Sequence, residues 1–302
     1  MAGNLRPSFL AITLALFMLS FFKSSLAYPC TVTYWGQYDT AGSLQDICNS
    51  HNYEYVNIAY LKNYATGSPK LNLSIHCLDC SYLEVEIDHC QENGIKVLLS
   101  LGDPGHGTQT NASKLAKYLW NNFLGGESSD RPLGNATLDG IVFEDVNPGT
   151  VLKFDELAKE LKNYGPVQLA AFPPCGEGDR NLDSVIDTGL LDYVWVKFYD
   201  DTSCDYSNNN IDILSNAWLT WSSRTGINLL FMGVPESEQL VSSGYIPPDF
   251  LINEVLPFIQ SSPQYGGILV WHNFSSDSYT PQIKGSACKE GKNILSWLKT
   301  AI

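Results

Sequence analysis

Eight short apolar runs recur along this chain with helix-like segments between them, and that alternation restricts the available folds more than any other feature. The runs cover residues 31–36, 53–61, 95–101, 138–143, 167–172, 193–199, 227–234 and 267–274. They are rich in Val, Ile, Tyr and Phe, and most are continuous rather than alternating, as parallel strands covered on both faces require. Residues 114–123, 154–164, 211–222 and 248–259 carry apolar side chains at helical spacing. Asn111 or Ser113 can cap the first of these, and Gly125-Gly126 ends it. Eight strand–helix units suit a closed (β/α)8 barrel, an α/β fold of about 250 residues, better than an open doubly wound sheet. No linker, repeat or low-complexity stretch marks a second domain, so one barrel is expected over 28–302.

The barrel is expected to start at 28 because 1–27 reads as a secretory leader. Arg6 supplies the positive start, residues 9–22 are apolar and uncharged, and Ser25-Leu26-Ala27 offers small residues for cleavage. The run is shorter than the roughly 20 residues a spanning helix needs. Secretion is expected, and Lys299-Thr300-Ala301-Ile302 carries no clear sorting signal to another destination. Four sequons follow, at Asn72, Asn111, Asn135 and Asn273, each a candidate glycan site. Eight Cys, an even number, fit a disulfide-forming compartment. A net charge of −14, from 18 Lys+Arg against 32 Asp+Glu, repels phosphate backbones and anionic lipid heads. Neither nucleic acid nor a membrane is expected as a partner, and the chain is read as a monomer. Five scattered His with no pair at i, i+4, and no Gly-x-Ser-x-Gly elbow, give no reason to expect a metal, a cofactor or a serine triad.

In such a barrel, chemistry sits at the C-terminal ends of the strands. Those ends are dominated by aromatics and amides: Tyr34-Trp35-Gly36-Gln37, Ala59-Tyr60, Phe172-Pro173-Pro174, Phe198-Tyr199-Asp200 and Trp271-His272-Asn273. Flat aromatic faces suit the C–H surfaces of sugars, and amides suit their hydroxyls, so the rim points to carbohydrate.

The residues then become specific. Tyr34-Trp35-Gly36-Gln37, Ile95 to Gly102, Tyr118 to Gly126, Arg131-Pro132-Leu133-Gly134, Leu138-Asp139-Gly140-Ile141 and Tyr265-Gly266-Gly267 resemble plant class III chitinases of glycoside hydrolase family 18, the hevamine type, in order along the whole mature length. The resemblance implies a (β/α)8 barrel and chemistry on the fourth strand, in an Asp-x-x-Asp-x-Asp-x-Glu motif. There the last Glu protonates the glycosidic oxygen and the substrate's own acetamide attacks the anomeric carbon. This chain reads Asp139-Gly140-Ile141-Val142-Phe143-Glu144-Asp145-Val146. Asp139 matches the first acid, Val142 and Glu144 replace the second and third, and Val146 stands at the proton donor's place. Side chains alternate along a strand, so Val142, Glu144 and Val146 are expected to face inward and Asp145 away. Glu144 lies about 6.6 Å short of the donor's position. A relocated acid, Glu144 or Asp145 swung inward near Asn147-Pro148, would keep an endochitinase active with Tyr199 assisting.

Other departures point the same way. Asp103-Pro104 replaces a glycine-rich loop, Phe172-Pro173-Pro174-Cys175 replaces Ala-Pro-Gln-Cys, and Lys197 replaces a Gln. What the resemblance retains for ligand contact is Tyr34, Gln37, Tyr199 and Trp271, and Tyr60 on the aromatic rim joins them as a candidate ligand contact. It implies that Tyr199 meets an acetamide carbonyl and that Trp271 floors a central sugar. It also implies the pairs Cys48–Cys90, Cys77–Cys80 and Cys175–Cys204. Cys30 and Cys288 are extra. Their pairing looks awkward, with Cys30 at the barrel bottom and Cys288 ahead of a helix starting near the top, so a free thiol or an intermolecular bridge stays open. Concanavalin B, narbonin, chitinase-like lectins and xylanase inhibitor proteins share this kind of pattern. The expected function is therefore a chitinase-like protein that has lost hydrolase activity and binds N-acetylglucosamine or chitin oligomers, or a microbial glycosidase such as a xylanase. The alternatives are an active endochitinase and a storage protein.

Overall fold

The computed structural model describes residues 30–77, 79–105, 111–144, 153–176, 180–271 and 278–288, all within one compact unit, Pro29–Cys288. The expected leader 1–27, Asp145, Val146 and the sequon at Asn273 lie outside the described residues. Each apolar run yields a strand, and a helix follows each one around the ring: β1 (Thr31–Trp35), α1 (Leu44–Asn49), β2 (Tyr55–Lys62), α2 (Leu83–Glu92) after a two-residue β3 (Lys70–Leu71), β4 (Lys96–Leu101), α3 (Ala112–Phe123), β5 (Gly140–Glu144), α4 (Phe154–Tyr164), β6 (Gln168–Phe172), α5 (Arg180–Asp187), β7 (Tyr193–Lys197), α6 (Ile211–Ser223), β8 (Leu229–Pro235), α7 (248–259), β9 (Tyr265–Trp271) and α8 (Thr280–Ala287). The strands run parallel, and β1 pairs with both β2 and β9, so the sheet closes into an eight-stranded barrel. Only β3 was not anticipated, an antiparallel addition on β2.

The continuous apolar runs follow from double coverage. One set of strand residues, including Val56, Val97, Ile141, Leu169, Val194 and Ile268, packs outward on helix residues such as Leu83, Leu119, Leu157 and Ile283. The alternate set, Val32, Tyr55, Leu98, Val142, Ala170, Trp195, Phe231 and Leu269, fills the interior. Full burial of each Leu, Ile or Phe contributes about 1.5–3 kcal/mol. Asn111 is the residue that caps α3, accepting from the Lys114 N–H at 3.1 Å. Helix α7 widens to a π turn over Leu251–Val255 just ahead of Pro257, whose ring lacks the donor for an ordinary turn.

Three acidic residues fasten the barrel floor. Glu54, Asp139 and Asp192 each precede a strand and accept a backbone N–H from an adjacent one: Thr31 at 2.9 Å, Val97 at 2.9 Å and Leu169 at 2.8 Å. A lysine supports each, namely Lys284, Lys96 and Lys162. Asp139, which resembles the first acid of the family-18 motif, thus acts at the floor, about 16 Å of strand from Glu144.

The sulfurs of Cys48 and Cys90, Cys77 and Cys80, and Cys175 and Cys204 are joined. So are those of Cys30 and Cys288, which corrects the expectation of an awkward pairing. Cys288 directly follows α8, and α8 runs down the outside of the barrel to the floor, where β1 begins. The Cα atoms stand 4.9 Å apart.

Candidate functional site at the barrel mouth

Strand ends deliver a ring-rich cluster to the mouth. Tyr34 is the last inward residue of β1, and Gln37 follows in the next turn. Tyr60 arrives from β2, where the pairing with β4 shifts register between Ala59 and Leu61. Glu144 ends β5, Phe172 ends β6, Lys197 ends β7 with Tyr199 just beyond, and Trp271 ends β9. Tyr34 and Phe172 are each 1% exposed, Tyr199 6% and Glu144 8%, whereas Gln37, Tyr60, Lys197 and Trp271 are half-buried.

The contacts make one unit of these positions. Tyr34 Oη donates to Glu144 Oε1 at 2.6 Å, and Gln37 Nε2 donates to Tyr60 Oη. The Trp271 ring lies 5.3 Å from Tyr34, 6.1 Å from Phe172 and 6.3 Å from Tyr199. Tyr34 and Tyr60 are 6.5 Å apart. Of the residues singled out from the sequence, Tyr34, Gln37, Tyr60, Glu144, Tyr199 and Trp271 therefore meet at one place; Asp145 lies outside the described residues. The sequence reading left Phe172 and Lys197 off the site. The signal was there in the period of two: Ala170 and Phe172 alternate inward on β6, as do Tyr193, Trp195 and Lys197 on β7. Asn72, Asn111 and Asn135 are exposed, and Asn135 donates to Glu84. Two cavities, of about 610 and 530 Å³, share no lining residue with the mouth cluster.

Electrostatics keep the mouth phenols protonated. Burial, followed by the charge of Glu144, pushes the Tyr34 phenol well above its ordinary value. Burial does the same for Tyr199, with Tyr60 and Glu144 adding to it, and burial and Glu144 raise Tyr60. These groups keep their protons at any physiological pH, and Tyr34 donates its own to Glu144 as a hydrogen bond. Because the folded state holds these protons more tightly than the unfolded chain, their contribution to stability is complete below pH about 10. It is lost as pH rises above that value. Absorbance titration at 295 nm should therefore show Tyr34, Tyr60 and Tyr199 ionising only together with loss of the folded circular dichroism signal. Ionisation of all 16 tyrosines near pH 10 in a folded protein would contradict this.

An all-parallel eight-stranded barrel with this mouth is matched over residues 30–242 by the profile of glycosyl hydrolases family 18. The chain belongs to that family. An acidic endochitinase of Cicer arietinum is 47% identical over 297 residues, covering 94% of this chain and 98% of the relative. Among solved structures, the xylanase and alpha-amylase inhibitor protein XAIP-II from Scadoxus multiflorus is 36% identical with a TM-score of 0.77, covering 85% of this chain and 97% of that one. The tamarind chitinase-like lectin is 32% identical with a TM-score of 0.73, covering 86% and 98%. One family-18 barrel thus carries proteins described as a hydrolase, an inhibitor and a lectin, and the residues of the mouth must decide among these roles.

Proposed function

We propose that this family-18 protein is a secreted, chitinase-like carbohydrate binder without hydrolase activity. The observation that carries the reading is the state of the motif strand. Val146 stands where the family's proton donor belongs, and Glu144, the strand's carboxylate among the described residues, is buried and accepts a hydrogen bond from Tyr34 Oη at 2.6 Å. A general acid has to place its own proton within about 3 Å of the glycosidic oxygen. An inward carboxylate that receives a hydrogen bond at the base of the mouth does the opposite. What the mouth still offers is a half-buried indole, a half-buried phenol and an amide, which together suit the apolar face and the hydroxyls of an N-acetylglucosamine or chitin oligomer.

Titration calorimetry with chitin oligomers tests the reading. The wild type should bind, and Trp271→Ala should weaken binding at least tenfold, which is about 1.4 kcal/mol of lost contact. An unchanged affinity in Trp271→Ala would place the ligand elsewhere.

A second reading, inhibition of a microbial xylanase, draws on the likeness to XAIP-II; residual xylanase activity on titration with this protein distinguishes it. A third, an endochitinase using Glu144 or Asp145, draws on the 47% identity with the acidic endochitinase. A storage role is what remains if neither binding nor inhibition is found. Secretion is proposed from the leader at 1–27 and the four disulfides, with apoplast and vacuole as the two destinations. Among the described residues no helix is long and apolar enough to cross a membrane.

A further inference from the structure

The centre of the mouth is already filled by a side chain. The Phe172 ring is stacked on Tyr34 at 5.3 Å and 30°, and on Trp271 at 6.1 Å and 27°. Lys197 Nζ stands 5.7 Å from its centroid. Opposite, β8 omits a side chain at this level: Gly233 pairs in register with Lys197, and a Cβ there would lie 3.3 Å from Phe172 Cε2 and 2.8 Å from the Val196 carbonyl oxygen. Four strands other than its own therefore shape the slot that the ring fills. Polar groups remain in the mouth with it. Tyr199 Oη and Gln37 Oε1 are buried and have no hydrogen-bond partner among the described residues, a state that normally costs free energy unless a ligand or water is met.

We infer that Phe172 is a specificity-determining plug. Its ring takes the stacking position against Trp271 that a pyranose ring would use, and it confines a bound oligosaccharide to the outer rim formed by the free surface of Trp271, Tyr60 and Gln37. This inference rests on the reading of the mouth as a carbohydrate site. Its consequence is a short site: the rim holds the end of a chain, and added sugar units gain nothing because the path across the mouth is closed. Removing the ring opens that path and brings the Tyr199 hydroxyl within reach of the ligand.

Calorimetry on wild type, Phe172→Ala and Phe172→Leu with N-acetylglucosamine trimer, tetramer and hexamer tests the plug. The wild type should bind trimer and hexamer within about threefold of each other. Phe172→Ala should bind the tetramer at least tenfold more tightly than wild type, with Phe172→Leu, which retains apolar volume and protects against misfolding, in between. Variants that keep the wild-type circular dichroism yet bind no more tightly would overturn the plug. So would a wild-type affinity that rises more than tenfold from trimer to hexamer, a result that needs no variant. Binding by the variants alone would uphold the plug while refuting the mouth as a carbohydrate site of the wild type. Absence of binding in all three proteins would refute both.

Discussion

Replacing Cys30 and Cys288 together by serine is expected to lower the thermal midpoint by roughly 10 °C. The bridge spans 258 residues of sequence, nearly the whole barrel. In the chain-entropy account, a cross-link restricts the unfolded ensemble more the longer the loop it closes, which for this separation amounts to about 5 kcal/mol. In a unit of this size each kcal/mol moves the midpoint by roughly 2 °C or slightly more. The location of the bridge adds to the expectation, since it ties the first residue before β1 to the residue after α8. It thereby holds the closing β1–β9 pair, where the Ile268 N–H donates to the Cys30 carbonyl at 2.9 Å. Scanning calorimetry of wild type and double variant under non-reducing conditions measures the effect. A midpoint within 2 °C of wild type, or two titratable thiols in the wild type, would contradict it.

Arg131→Lys is expected to cost about 3 kcal/mol or more, although it conserves charge. The Arg131 guanidinium donates to four backbone carbonyls: Nη1 to Asn121 at 2.8 Å and Gly126 at 2.9 Å, Nη2 to Leu124 at 3.0 Å and Ala136 at 2.7 Å. Asn121 and Leu124 belong to the C-terminal end of α3, where carbonyls lack partners within the helix and the macrodipole is negative. One planar fork therefore caps α3 and fastens the segment that leads into β5, the strand of Glu144. A lysine ammonium is a point donor and cannot span that fan. Each charged hydrogen bond lost is worth about 1.5–3 kcal/mol, less what water restores. Urea unfolding with an unchanged slope and a lower midpoint is the expected result; a loss below 1 kcal/mol would show that water replaces the fork.

How much of this was legible in the sequence depends on whether a feature is local. The barrel was legible because both faces of every strand are covered, and that writes itself into the chain as continuous apolar runs. Glu144 was legible as an inward residue from alternation alone, as was the gathering of Tyr34, Tyr60 and Trp271 at strand ends. The Tyr34–Glu144 bond was not, because it joins residues 110 apart whose strands meet only when the barrel closes. Phe172 was read as part of a changed loop. Its stacking on Tyr34 and Trp271 depends on β1, β6 and β9 converging, and the space left by Gly233 appears only in the register of β7 with β8. Asp139 carried a second ambiguity. It matches the first acid of a motif that carries the family's chemistry, yet its oxygens accept from Val97, Gln91 and Lys96 at the barrel floor. The Cys30–Cys288 bridge was misjudged because the direction in which α8 returns, rather than any spacing in the sequence, brings the two sulfurs together.

The central claim is that the mouth binds sugar chains and leaves them intact. The most direct measurement is prolonged incubation of the wild-type protein with N-acetylglucosamine hexamer, with products resolved by mass spectrometry. The account predicts intact hexamer and no shorter oligomer beyond the buffer control. Release of dimer and tetramer that disappears in Glu144→Gln, or in Asp145→Asn, would contradict it and identify the carboxylate that supplies the proton.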